Sequence, residues 1–242
     1  MKRVLITGAS SGIGLQLARD YCADGWEVIA CGRDQSKMHQ VLGDLSVMYC
    51  VFDTTDRDQT RRALSEVATP DLVILNAGSC EYIDDAKAFD AELFDRVFSI
   101  NVMGTVNCLS ALLPKMAAGS RVAIVSSSVT FLPLTRAEAY GASKAALDYL
   151  ARTLAVDLSA SGIAVSLVRP GFVDTPLTRR NDFPMPGRVS VETASRIIRQ
   201  GLARGKAEIN FPLVFISIMR LLAMLPNTVW QLIATRMARS TA

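Results

Sequence analysis

Short apolar runs rich in β-branched residues recur along this chain, and a longer helix-patterned segment separates most of them from the next. The runs are Arg3–Thr7, Glu27–Ala30, Val47–Val51, Leu72–Leu75, Arg121–Val125 and Ile163–Val168, with a weaker seventh at Ala207–Phe211. Strands that are apolar throughout, instead of alternating apolar and polar, suit a parallel sheet covered on both faces. Helical patterns fall at Gly14–Asp24, Arg57–Ala68, Ala91–Leu113, Tyr140–Ala160 and Val191–Ala203. The expected fold is therefore α/β, a doubly wound parallel sheet with helices on both sides. A chain of 242 residues fits one such domain, and no repeat or linker divides it. Two regions break the alternation. Residues 170–187 are rich in Pro, Gly and polar side chains and read as a long loop. Residues 212–242 form an apolar, then amphipathic, helical extension of the same domain.

The net charge of +3 and the lack of a basic, aromatic-interleaved patch argue against a nucleic-acid partner. Cys22, Cys31, Cys50, Cys80 and Cys108 form no Cys-x-x-Cys pair and sit mostly in apolar runs. They read as buried, reduced thiols of a cytoplasmic protein. The single His39 lies in a polar stretch and reads as solvated, so no metal site is expected. Gly8 and later glycines interrupt the first apolar run too early for a signal peptide. No apolar stretch reaches the roughly 20 residues of a membrane-spanning helix.

Thr7-Gly-Ala-Ser-Ser-Gly-Ile-Gly14 follows the first strand and opens the first helix. Gly8, Gly12 and Gly14 permit positive φ and close approach of backbone to a ligand. With Ser10, Ser11 and Ile13 they would hold a pyrophosphate against free helix N–H groups and the positive end of the helix dipole. This makes residues 1–211 a Rossmann-type nucleotide-binding unit. The second strand ends Ala30-Cys-Gly-Arg-Asp34. Gly32 stands where NAD-binding folds usually place an acid for the ribose 2′-hydroxyl, and the Arg33 fork suits a 2′-phosphate. NADP(H) is thus preferred and NAD(H) is the alternative, since Arg33 could merely flank the strand with Asp34 offsetting it.

Tyr140-Gly-Ala-Ser-Lys144 puts a phenol and an ammonium on one helical face. A cation beside a phenol lowers its pKa and makes it usable in proton transfer. Together with Thr-Gly-x-x-x-Gly-Ile-Gly, Asn76-Ala77-Gly78, Asn101 in Ser-Ile-Asn-Val and Pro170-Gly-Phe-Val-Asp-Thr175, it resembles the short-chain dehydrogenase/reductase family over about residues 1–205.

The resemblance implies hydride transfer between a nicotinamide cofactor and a small carbonyl or secondary alcohol. It implies Tyr140 as general acid/base, Lys144 on the nicotinamide ribose, and Asn101 holding a water that links Lys144 to solvent. The family's serine falls at Ser127, or at Ser128 if the following loop is one residue shorter. Asp53 would face the adenine or simply cap a turn. Thr175 and the backbone of Val173 would hold the nicotinamide carboxamide, with Asn76, Ala77, Gly78, Pro170 and Gly171 also contacting the cofactor. The rest of the 170–187 loop would cover an apolar substrate, or anchor to the core. A homodimer or homotetramer is implied too. A catalytically silent nucleotide sensor or scaffold is the alternative from another class. Leu213–Leu225 is apolar nearly all round, and Trp230, Ile233 and Met237 share a face with Arg236 and Arg239 nearby. The tail can pack within or between subunits, cover a lipophilic substrate, or lie peripherally on a membrane.

Overall fold

The structure, a computed structural model, describes residues 1–239, with side chains through residue 236. Its seven strands are β1 (Arg3–Thr7), β2 (Glu27–Gly32), β3 (Val47–Val51), β4 (Leu72–Leu75), β5 (Arg121–Val125), β6 (Ala164–Pro170) and β7 (Glu208–Phe211). All pair in parallel, in the order β3-β2-β1-β4-β5-β6-β7. Successive side chains point to opposite faces, so both faces must be apolar. Val4, Ile6, Val28, Ile74 and Val168 pack on one side with Leu17 and Ile198. Leu5, Ile29, Val73, Ile124 and Leu167 pack on the other with Leu64, Leu112 and Leu147.

The first side is covered by α1 (Gly12–Ala23), α2 (Gln35–Leu42) and α7 (Val191–Ala203). The second is covered by α3 (Arg57–Ser65), α5 (Gly104–Leu112) and α6 (Glu138–Asp157), with α4 (Ala91–Phe98) against α6. The expected doubly wound sheet is present, and the strand positions agree to within two residues. Helix α2 was not anticipated. Only Met38 and Leu42 of it are buried, too sparse an apolar period to read, and the Asp34 carboxylate caps it by accepting from Lys37 N at 2.9 Å. His39 is exposed, as expected, with its ring 4.2 Å from that of Tyr49. Cys31, Cys50 and Cys108 are buried, whereas Cys22 and Cys80 are only half-buried.

The single helix expected over Ala91–Leu113 is broken in character by a π-helical turn at Ser99–Met103. The whole run Ala91–Lys115 is long and apolar enough to cross a membrane by length and composition, which corrects the expectation that no segment is. It packs instead against α3 and α6, with Val97, Cys108 and Leu112 in the interior.

The extension forms α8 (Leu213–Leu222) and α9 (Asn227–Arg239), bent by 120° across the break at Pro226. Met219 and Trp230 pack on Leu132, with Phe131, Phe215, Leu222 and Ile233 around them, and Ile216 is buried as well. The Trp230 indole donates to the Pro133 carbonyl at 2.8 Å. Arg169 of β6, with 0 % exposure, ties this region together. It donates to Asp148 of α6 at 2.7 Å and to Glu208 of β7 at 2.9 Å. The guanidinium groups of Arg169 and Arg220 lie 5.2 and 5.0 Å from the centre of the Phe131 ring. Met237 and Arg239, expected beside Trp230 and Ile233, have side chains outside the described residues.

Candidate active site

The strand order reverses direction between β1 and β4, and a cavity of about 430 Å³ opens there, along the carboxyl ends of the strands. The loop after β1 forms its floor. Gly8 and Gly12 have φ of 69° and 55°, which a side chain would strain. Gly14 sits behind the loop instead of lining it: a Cβ there would lie 2.6 Å from Asn76 Nδ2 and collide with the Gly8 carbonyl. The Thr7 hydroxyl accepts from Asn76 N and Ala77 N, both at 3.0 Å, and Asn76 Nδ2 donates back to Thr7 O at 3.1 Å. These bonds lock the two strand ends together. At the start of α1 no side chain caps the helix, so its first N–H groups stay free beside Ser10, Ser11, Gly12 and Ile13, which line the cavity. A small-residue floor with free helix N–H groups fits the pyrophosphate of a dinucleotide.

Farther along, Arg33 and Asp53 line the same cavity 3.6 Å apart, both partly solvated. Asp53 also accepts from Thr55 N and Oγ1 at 2.9 and 2.8 Å. Hydrogen bonds from Thr55 and the nearby Arg33 hold its carboxyl below the usual range, against an upward push from burial. Asp34 turns to its capping role in α2 and does not pair with Arg33. Gly32 is small because Met38 packs on it: a Cβ would lie 2.8 Å from the Met38 sulfur. Lys37 lines the cavity too, and a sequence reading that leaves α2 out has no reason to single it out.

At the other end, β5 delivers Ser126 and Ser127, and α6 delivers Tyr140 and Lys144. Ser126 and Ser127 both line the cavity, whereas Ser128 is buried and does not. Lys144 Nζ donates to Val125 O at 3.0 Å and lies 5.8 Å from the centre of the Tyr140 ring. Asn101 lies behind the cavity with 0 % exposure, on the π turn. Its Oδ1 accepts from Ser79 N at 2.8 Å, and its Nδ2 donates to Ser79 O at 3.0 Å and to Ser143 Oγ at 2.9 Å. Ser143 Oγ in turn donates to Tyr140 O at 2.7 Å. Asn101 thus links the loop after β4 to the turn of α6 that carries Tyr140.

The Tyr140 phenol was expected to be lowered by Lys144. In the protein alone it is pushed up well above its ordinary value: burial dominates, the Cys80 thiol adds to the rise, and the Ser127 hydroxyl opposes it. The same burial lowers the Lys144 ammonium to about 8, against smaller upward pulls from Cys80 and Asp148. Burial thus pushes both groups toward their neutral forms, but Lys144 still carries its proton at neutral pH. Lys144 is ordinarily near 10.5, so between about 8 and 10.5 the folded protein binds fewer protons than the unfolded chain. Stability contributed at this position is then absent below about 8 and rises with pH across that window. In urea titrations of wild type and Lys144→Met, the difference between the two should shift by about 3 kcal/mol in favour of wild type from the lower to the upper end of the window. Parallel stability–pH curves would contradict the burial of the ammonium.

The 170–187 segment closes the remaining side. Pro170, Gly171, Val173 and Thr175 line the cavity, and the Thr175 methyl would lie 3.1 Å from a Cβ on Gly12. The Thr178 hydroxyl, not anticipated, accepts from Thr175 N and donates to Val173 O. The segment is not wholly irregular, since Thr178–Arg180 form a 3-10 turn and Val173 bridges to Val189. Phe183 stands 5.4 Å from Tyr82 and 6.2 Å from Phe172, ring centre to ring centre. Arg136 pairs with both Asp84 and Asp182, at 2.7 and 2.9 Å.

A family model described as short chain dehydrogenase matches residues 2–183. An uncharacterized oxidoreductase of Myxococcus xanthus is 36% identical over 248 aligned residues, covering 98% of this chain and 97% of the relative. The crystal structure of BdcA in complex with NADPH superposes with a TM-score of 0.77 at 25% identity, covering 86% of this chain and 93% of that one. A short chain dehydrogenase/reductase from Burkholderia phymatum, in complex with NAD, gives a TM-score of 0.81 at 21% identity, over 91% and 92% of the two chains.

Proposed function

This chain belongs to the short-chain dehydrogenase family, and on that premise we propose that it is an NADP(H)-dependent oxidoreductase that reduces a carbonyl or oxidises a secondary alcohol. The observation that carries the reading is that Ser127, Tyr140 and Lys144 line the same cavity as the glycine loop. A nicotinamide cofactor, when bound, supplies or accepts the hydride. The chain's own groups handle the oxygen. Ser127 Oγ donates a hydrogen bond to the substrate oxygen and orients it. Tyr140 Oη gives its proton to that oxygen in reduction and takes one back in oxidation. A neutral phenol is the correct starting form for the reductive direction. Lys144 holds the ribose hydroxyls, and its charge steadies any phenolate formed. Asn101 is a positioning residue, acting through Ser79 and Ser143 on the turn that carries Tyr140. Phe172, Phe183 and Tyr82 form an aromatic cluster beside the Gly171 and Val173 lining of the cavity, which would suit a carbonyl with an apolar substituent.

Arg33, with Lys37 nearby, supports NADP(H) through the 2′-phosphate. Asp53, which offsets part of the Arg33 charge, is the observation favouring NAD(H) as the second reading. Steady-state turnover with a panel of aldehydes and ketones separates the two. Arg33→Ala should lower kcat/KM for NADPH by about 10- to 100-fold, the worth of one charge-assisted hydrogen bond, and leave NADH nearly unchanged. Equal or better efficiency of the wild type with NADH would remove the NADP(H) preference. Tight NADPH binding with no turnover of any carbonyl would favour a silent sensor.

A further inference from the structure

Helix α8 is apolar nearly all round, a pattern found where a helix is covered on every side. The fold covers only its inner half. Leu213, Val214, Ile218, Leu221 and Met224 are exposed, Val214 and Met224 at 76 %, and Val229 and Leu232 of α9 join them. Single exposed apolar residues are ordinary, but a run of this size over two consecutive helices marks an interaction surface. We propose that this face docks the protein peripherally on an anionic lipid bilayer.

Three observations choose the bilayer. First, charge: no Asp or Glu follows Glu208 in the chain, Arg236 is exposed on α9, and Arg220 is half-exposed, lying over Phe131 with Glu208 3.8 Å away. An acid-free apolar face edged by arginines complements anionic headgroups, and long cationic side chains can reach them while their stems stay in the acyl boundary. A second copy of the chain would oppose the same patch to itself, and the extension itself supplies no acid for Arg236, whose charge an anionic surface would meet instead. Second, length: helices of 10 and 13 residues bent by 120° are too short to cross a bilayer and suit lying in its interface. Third, continuity: Phe215 of α8 stands 5.5 Å from Phe172, ring centre to ring centre, and packs on Gly171, a residue that lines the cavity, so the face adjoins the segment that borders the cavity. The inference concerns binding and does not depend on the reaction assigned above.

The test is flotation of the full chain with vesicles of phosphatidylcholine alone or of phosphatidylcholine mixed equally with phosphatidylglycerol. The comparison protein carries Leu221→Glu and Met224→Glu, both at exposed positions outside the cavity, with NADPH binding as the check of its fold. Wild type should float with the mixed vesicles at least about tenfold more than with the neutral ones, and the double variant should stay behind with both. The docking is overturned if wild type floats with neither vesicle, or if the folded variant floats as well as wild type. Equal flotation with both vesicles overturns the anionic preference. Sedimentation that shows a dimer abolished by the double variant, without flotation of wild type, would assign the face to a second copy of the chain.

Discussion

Tyr140→Phe is expected to lower kcat by about 10²- to 10⁴-fold, the usual contribution of a positioned proton donor, while NADPH affinity stays within a few-fold of wild type. The substitution removes one oxygen and keeps the ring. The buried volume and the ammonium of Lys144 lying 5.8 Å from the ring centre are therefore retained. The anchor that places this turn of α6 is also untouched, because Ser143 Oγ donates to the Tyr140 backbone carbonyl and not to its side chain. Loss of turnover in a protein that still titrates NADPH normally would thus isolate the proton transfer from the fold. Turnover close to wild type would overturn the assignment of Tyr140. A fall in both turnover and NADPH affinity would instead point to a collapsed site.

Arg169→Met is expected to destabilise the protein by about 3–5 kcal/mol, measured by denaturant unfolding. Methionine fills much of the volume, so the loss would be electrostatic. Arg169 has no exposure, and Asp148 is left with 13% of its side chain reaching solvent. Removing the guanidinium strands that carboxylate in the interior, with its Oδ1 already lacking a hydrogen-bond partner among the described residues. Glu208 suffers less, being more exposed and keeping Arg152 at 3.2 Å. The double substitution Arg169→Met with Asp148→Leu should recover a large part of the loss, because no buried charge then remains unpaired. A single-variant loss below about 1 kcal/mol would show that Asp148 is better solvated than its surroundings indicate.

The sheet was legible because a strand buried on both faces has no alternative but a continuous apolar run, as in Leu72–Leu75. The helix after β2 was not, since a short helix with two buried residues leaves no periodic trace. The motif spacings brought Ser127, Tyr140 and Lys144 to one cavity because helix and strand geometry convert spacing into direction. They did not carry depth. The upward shift of Tyr140 depends on how much protein surrounds it, and no local pattern encodes that. Gly14 and Asn101 stand in the motif beside residues that line the cavity, yet they act from behind it, on Asn76 and on Ser79. The apolar character of α8 was plain, but which half stays uncovered follows only from how it docks on Phe131 and Leu132.

The π-helical turn at Ser99–Met103 bears on how this chain could be shortened or lengthened. Such a turn holds one residue more than an α-helical turn, and each residue advances the helix by about 100°. It therefore acts as a phase shift between two halves of one rod: α4 aims its buried side at α6, while α5 aims its own at α3. Deleting a single residue there would return the rod to uniform pitch and rotate one half against the other by that angle. Either Asn101 and α4 would lose α6, or Cys108 and Leu112 would leave the interior. Length in this segment is consequently constrained more tightly than composition.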